Sequence, residues 1–263
     1  MKNISFIFSI LLLALTSCND NNLIVNYDNN YPSSYSKLDS ISYKLLKSKY
    51  ANDNPFLRTS VTEFGFCGNY DFLYTAFWPI KVSDLSELEA KNVITAFITQ
   101  NSKQTGVLNP SDLTFNRVDS SRVYNGSLEW NLFSGTQIYG GLEVYNSTIG
   151  FAIINGKMVN CVGNWFPRIY IPSRINVNEQ KVKSLLLNKI VYLSDIMGGS
   201  QPMTITAKSL GTAIFTKMIY PVKTINKIKL HVVWQANIPD VYYVIFVDVM
   251  TGELIGSYPT ALS

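Results

Sequence analysis

Twice along this chain a stretch of helical periodicity gives way to a run of alternating, turn-punctuated strand segments, and that order limits the architectures open to it. The first helical stretch is "VSDLSELEAKNVITAFITQN". Leu85, Leu88, Ala90, Ile94, Phe97 and Ile98 form its apolar stripe, and Ser83 or Ser86 caps its start. Strand-like sequence follows from about Asp112 to Ile169, broken by "NGS", "SGT", "GG" and "NGK" turns. A second helix begins in "INVNEQKVKSLLLNK", where Asn176 with Glu179 makes an asparagine-initiated capping box. Val182, Leu185, Leu186 and Ile190 supply its buried face. Strands are then expected at about Gly211 to Tyr220, Ile228 to Gln235, Tyr242 to Asp248 and Glu253 to Tyr258. This pattern predicts an α+β fold of two consecutive units, each a helix packed on an antiparallel β-sheet. The boundary is placed in "PRIYIPSR", Pro167 to Arg174.

The last two strands meet in "FVDVMTGELIG", which places Asp248, Thr251 and Glu253 around Gly252 with apolar residues on both sides. An acidic site is one reading of it, but turn chemistry accounts for every residue. Val249 to Gly252 suits a hairpin loop, Asp248 can accept from backbone N–H groups two or three residues on, and Gly252 suits a position of positive φ. The four residues are therefore assigned to a structural turn.

At the N-terminus, "MKNISFIFSILLLALTSCNDNN" places one lysine before an apolar run from Ile4 to Leu15. That run is too short to span a bilayer and is flanked as a cleaved signal is. "LTSC" resembles the bacterial lipobox, which implies lipidation of Cys18. An ordinary secretory signal would explain the apolar run but not the Leu15, Ser17 and Cys18 order with polar residues straight after it. No later segment reaches the ~18 consecutive apolar residues of a transmembrane helix. The expected layout is a signal over 1–17, a polar tether over 18–40, an N-terminal unit over 41–172 and a C-terminal unit over 173–263. "LIV" and the tyrosines within the tether leave an added edge strand open. The expected location is the bacterial cell envelope, anchored through Cys18 to a lipid membrane on the outer-membrane side.

Of three cysteines, lipidation would use one. Cys67 and Cys161 then form the one pair able to cross-link in an oxidising compartment, or they remain buried thiols acting as small hydrophobes. The net charge of +4 is modest and scattered over solvated spots such as "KTINKIK", so no nucleic-acid stripe is present.

"SLEWNLFSGTQIYGGLEVYNSTIGFAIINGKMVNCVGNWFPRI" resembles the core of the fungalysin/thermolysin propeptide domain. Gly135, Ile138, Gly140 and Gly141 match its turn, "NGKMVNCVGNWFP" matches its closing strand, and Asn131 stands nearest the place of a customary glutamine. Ile175 to Tyr258 resembles a PepSY domain, with a capped helix, the strand Leu230 to Trp234, and the hairpin Tyr243 to Leu254. The resemblance implies cystatin-like or PepSY-like units and a non-catalytic module that binds, restrains or helps fold an exported metallopeptidase. An interaction or structural lipoprotein of an envelope assembly is the alternative. In propeptide precursors a zinc protease bearing H-E-x-x-H follows, whereas this sequence has one histidine, His231, in a strand pattern. Its carboxylates are scattered without diagnostic spacing, so no catalytic residue, metal or cofactor is assigned. The Tyr139 to Tyr145 hairpin and Trp165-Phe166 are the first candidates for partner contact. Packing into their own core is the competing role for these aromatics.

Overall fold

The computed structural model describes residues 26–27, 31–70, 84–123, 126–194 and 200–260. Within them the chain is an α+β protein with several antiparallel sheets and five α-helices. The chain begins with strands β1 (Asn26–Tyr27) and β2 (Ser33–Ser36), helix α1 (Ser40–Asp53), and strands β3 (Thr59–Val61) and β4 (Cys67–Tyr70). Helices α2 (Glu87–Gln100) and α3 (Ser102–Thr105) lead to β5 (Phe115–Arg122), β6 (Leu128–Ser134), β7 (Ile138–Tyr139) and β8 (Leu142–Glu143). Next come β9 (Ile149–Ile154), β10 (Lys157–Gly163) and β11 (Tyr170–Ile171), then α4 (Glu179–Leu186), β12 (Ile190–Ser194) and β13 (Ser200–Thr204). Helix α5 (Ala207–Thr212) precedes the last strands, β14 (Ile214–Lys223), β15 (Lys227–Ile238), β16 (Tyr243–Asp248) and β17 (Leu254–Pro259).

The first sheet runs β10-β9-β6-β5, antiparallel throughout. Helix α2 covers one face, burying Ala90, Ile94, Phe97 and Ile98 against Leu132, Phe151 and Ile153. Each large apolar side chain buried there contributes roughly 1.5–3 kcal/mol of transfer free energy. Ser86 and Glu89 close a complete capping box at its start. Leu88 does not belong to the stripe and is 69% exposed. The buried spacing through Ala90, Ile94 and Phe97 extends back to Glu87, which leaves Leu88 about 100° out of phase.

The second sheet runs β14-β15-β16-β17, with β2 pairing along the start of β15. Helices α4 and α5 bury Val182, Leu186 and Leu210 against Ala236, Ile238, Ile245 and Val247. Three expectations shift here. Asn178, not Asn176, caps α4 by accepting from the Lys181 N–H, while the Asn176 amide reaches the Met250 carbonyl. Asn188 takes a left-handed φ of 63°, so the helix stops short and Ile190 lies exposed on β12. The strand expected from Gly211 starts at Ile214, because a capping box between Thr206 and Ser209 winds the preceding residues into α5.

The stretch read as a tether is structured where it is described. Strand β2 lies in it, and the Tyr35 hydroxyl bridges the backbone N–H and carbonyl of Arg168. Burial raises the Tyr35 phenol to about 12 against the opposing pull of the Arg168 N–H bond to its oxygen. Helix α1, to which no helical stripe was assigned, is capped by Asp39 and buries only Tyr50. Its weak pattern, "SISYKLLKSKYAND", explains why periodicity did not show it. Around Pro167 to Arg174, Ile169 and Ile171 are buried in a core that joins Phe64, Phe66 and Phe166 to Ile219, Leu230 and Val249. A parallel bridge between Val144 and Ile219 carries the β7–β8 hairpin to the edge of β14.

Candidate functional site

Asp248 ends β16 with its side chain buried, and its two oxygens do different work. Oδ1 accepts from the Met250 N–H at 2.7 Å and the Thr251 N–H at 2.9 Å. Gly252, at φ +75°, donates its N–H to the Asp248 carbonyl, and Thr251 Oγ1 accepts from the Glu253 N–H. Oδ2 lies 2.8 Å from His231 Nδ1 and accepts from the Tyr31 hydroxyl at 3.0 Å. Burial alone would raise this carboxyl. The hydrogen bonds from His231, from the Thr251 and Met250 N–H groups and from Tyr31 outweigh it and hold the group at about 2.

Tyr31 occupies the point where β15 changes partners. Strand β2 pairs with it up to Leu230 and β16 from Val233, which leaves the Val232 backbone between them. The Tyr31 hydroxyl accepts the Val232 N–H at 2.8 Å, and the Val249 N–H serves the Val232 carbonyl at 3.1 Å. Desolvation and the neighbouring Asp248 charge raise the Tyr31 phenol, so it stays a neutral donor. Sequence reading assigned Asp248 to the turn and His231 to a strand. It had no signal for Tyr31, because a lone tyrosine in a polar stretch is not diagnostic. Together Tyr31, His231 and Asp248 splice β15 to the hairpin that follows β16.

Cys67 on β4 and Cys161 on β10 are both buried, with sulfurs 2.8 Å apart. Burial pushes the Cys161 thiol well up. Cys18 lies outside the described residues.

The remaining candidates meet at a cleft of about 530 Å³. One wall is the β7–β8 hairpin, whose two-residue Gly140-Gly141 loop has both φ angles positive, as a type I′ turn requires. Trp165 and Phe166, both buried, form its floor, and the exposed Asp112 and Glu143 also line it. Burial raises the Asp112 carboxyl above its ordinary value. Gln137 fixes this geometry. Its Nε2 donates to the Phe166 carbonyl at 2.8 Å, and its Oε1 accepts the Phe166 N–H at 3.0 Å. A side-chain amide thus pairs with a peptide group as a neighbouring strand would, and Ser147 Oγ adds a bond to Oε1. Gln137 was missed because a glutamine beside a glycine turn reads as exposed. Tyr145 points elsewhere, packing on Tyr220 and Phe246 of the second sheet. Trp165 and Phe166 belong to the hydrophobic cores as well as to the cleft floor. Leu108 and Ile138 stand on the rim, 64% and 58% exposed.

No protein-family model and no curated protein matches this sequence. Among solved structures, the C-terminal domain of YpeB from Bacillus megaterium aligns over 86% of this chain and 99% of that one, at 12% identity and a TM-score of 0.31. Among the described residues, no group of three or more His, Cys, Asp or Glu side chains could hold a metal ion. No described helix is long and apolar enough to cross a membrane.

Proposed function

We propose that this chain is an exported lipoprotein, anchored through Cys18, that binds and restrains or assists an exported metallopeptidase without being a catalyst itself. The observation that carries the reading is the cleft rim. Leu108 and Ile138 expose large apolar side chains beside a cavity whose floor the Gln137 clasp holds in place. Exposed apolar groups flanking a preformed concavity are characteristic of protein-contact surfaces. The resemblance of the central segment to propeptide domains and of Ile175 to Tyr258 to a PepSY domain supports the choice of partner. It also supports an arrangement of two cystatin-like units.

The contact is expected to bury at least ~1,000 Å² in total. The test is to purify the chain, assay it alone on peptide, ester and glycoside substrates, and titrate it against metallopeptidases of the same envelope. Leu108→Asp and Ile138→Asp lie on the surface, so they should weaken binding roughly tenfold or more while leaving melting unchanged. Turnover by the isolated chain would overthrow the non-catalytic reading. Absence of binding across those peptidases would move the envelope-assembly role to the front.

A further inference from the structure

The geometry points to a disulfide between Cys67 and Cys161 in the mature protein. The inference stands on the sulfur positions and is independent of the function proposed above.

The two sulfurs sit 2.8 Å apart, 94 positions apart in sequence. Two unbonded sulfurs do not rest that close, whereas bonded ones lie at about 2.05 Å. The pair therefore either closes to a bond or separates, and its surroundings resist separation. Cys161 is on β10, where its backbone N–H donates to Thr59 Oγ1 of β3. The Arg58 N–H bonds the Val159 carbonyl beside it, and β4 pairs with β3. These bonds hold the β3–β4 hairpin along the edge of the first sheet, with both sulfurs facing one closed core.

The chemistry balances with an organic disulfide as oxidant, of the kind carried by thiol–disulfide oxidoreductases or oxidised low-molecular-weight thiols. One cysteine thiolate attacks a sulfur of the oxidant, releasing one of its thiols and forming a mixed disulfide. The other cysteine thiolate then attacks the protein sulfur of that intermediate and releases the second thiol. Two protein thiols are oxidised, the oxidant's S–S bond is reduced to two thiols, and the cysteine protons end on the departing thiolates. Because both cysteines are sealed in the folded protein, the exchange belongs to folding and precedes closure of the core.

The product would tie β4 to β10 just before the chain reaches Trp165, the cleft floor. A cross-link spanning so long a stretch acts mainly by restricting the unfolded chain.

The full chain, produced through its own export signal, is to be lysed into denaturant containing N-ethylmaleimide and digested with trypsin, with and without prior reduction. The expected result without reductant is a linked pair of peptides, Thr59 to Lys81 joined to Met158 to Arg168. After reduction it should be replaced by the two peptides, each alkylated at its cysteine. The Cys67→Ala variant should leave Cys161 open to alkylation without reductant, which confirms that the reagent reaches it in denaturant. Alkylation of both cysteines in most of the unreduced wild-type chain would overturn the proposal, as would a link from either to Cys18.

Discussion

Tyr31 and Asp248, 217 positions apart, meet through a hydrogen bond of 3.0 Å from the phenol to the carboxylate. One end of the described chain is thereby tied to the last hairpin, at the point where β15 passes from one partner strand to another. Asp248 serves its own turn with one oxygen and this splice with the other.

Tyr31→Phe keeps the ring and removes the hydroxyl. The buried Val232 N–H then loses its acceptor and Asp248 loses a donor. The expected cost is about 1–3 kcal/mol, read by urea unfolding. An unchanged midpoint would mean that Val249 and His231 carry the splice without Tyr31.

The depressed Asp248 carboxyl makes stability pH-dependent in a defined window. Its folded value of about 2 lies below the ordinary 3.8, so its contribution is full above the ordinary value and fades as pH falls from there toward 2. The contribution is at most about 2 kcal/mol. Asp248→Asn should flatten the stability curve between those values, since the amide keeps an acceptor for the turn but does not titrate. Equal acid slopes in the two proteins would show that other groups govern that window.

Gly252 and Gly141 share a nearly equal positive φ, +75° and +76°, and differ in surroundings. A Cβ at Gly252 would come 3.1 Å from Leu185 Cδ1, whereas one at Gly141 would meet nothing within 4 Å. Both substitutions to alanine carry the backbone strain of about 1 kcal/mol, and Gly252→Ala should cost more in thermal unfolding because Leu185 must also move. Gly252→Val should cost about 1–3 kcal/mol, since branching adds to the strain. If Gly141→Ala proved the more damaging of the two alanine changes, packing around the last turn would not be the deciding factor.

Gln137→Ala should loosen the cleft floor. The Phe166 N–H and carbonyl would both lose buried partners, at a cost of about 1–3 kcal/mol. Tryptophan emission is the more specific readout once Trp78, Trp130 and Trp234 are replaced by phenylalanine in both proteins, because Trp165 adjoins the freed peptide and then emits alone. A variant destabilised as expected but with unaltered Trp165 emission would separate the clasp from the cleft geometry.

The sequence by itself determined what depends on near neighbours. The Ser86–Glu89 capping box, the stripe from Ala90 to Ile98, and the turn pairing the Asp248 carboxylate with N–H groups two and three residues on are all local. They follow from helical periodicity, backbone sterics and hydrogen bonds within a few positions. Leu88 and Asn176 show the limit even there, since a shift of one or two positions on a helix is decided by what the helix packs against. Only the tertiary structure decided that Tyr31 reaches Asp248 and Val232, that Gln137 clasps Phe166, and that two cysteines share one core. Those contacts depend on which chain segments the sheets bring together. A single side chain carries no record of its distant partner, and because the cost of closing a loop grows only slowly with its length, sequence separation does not select among the possible partners.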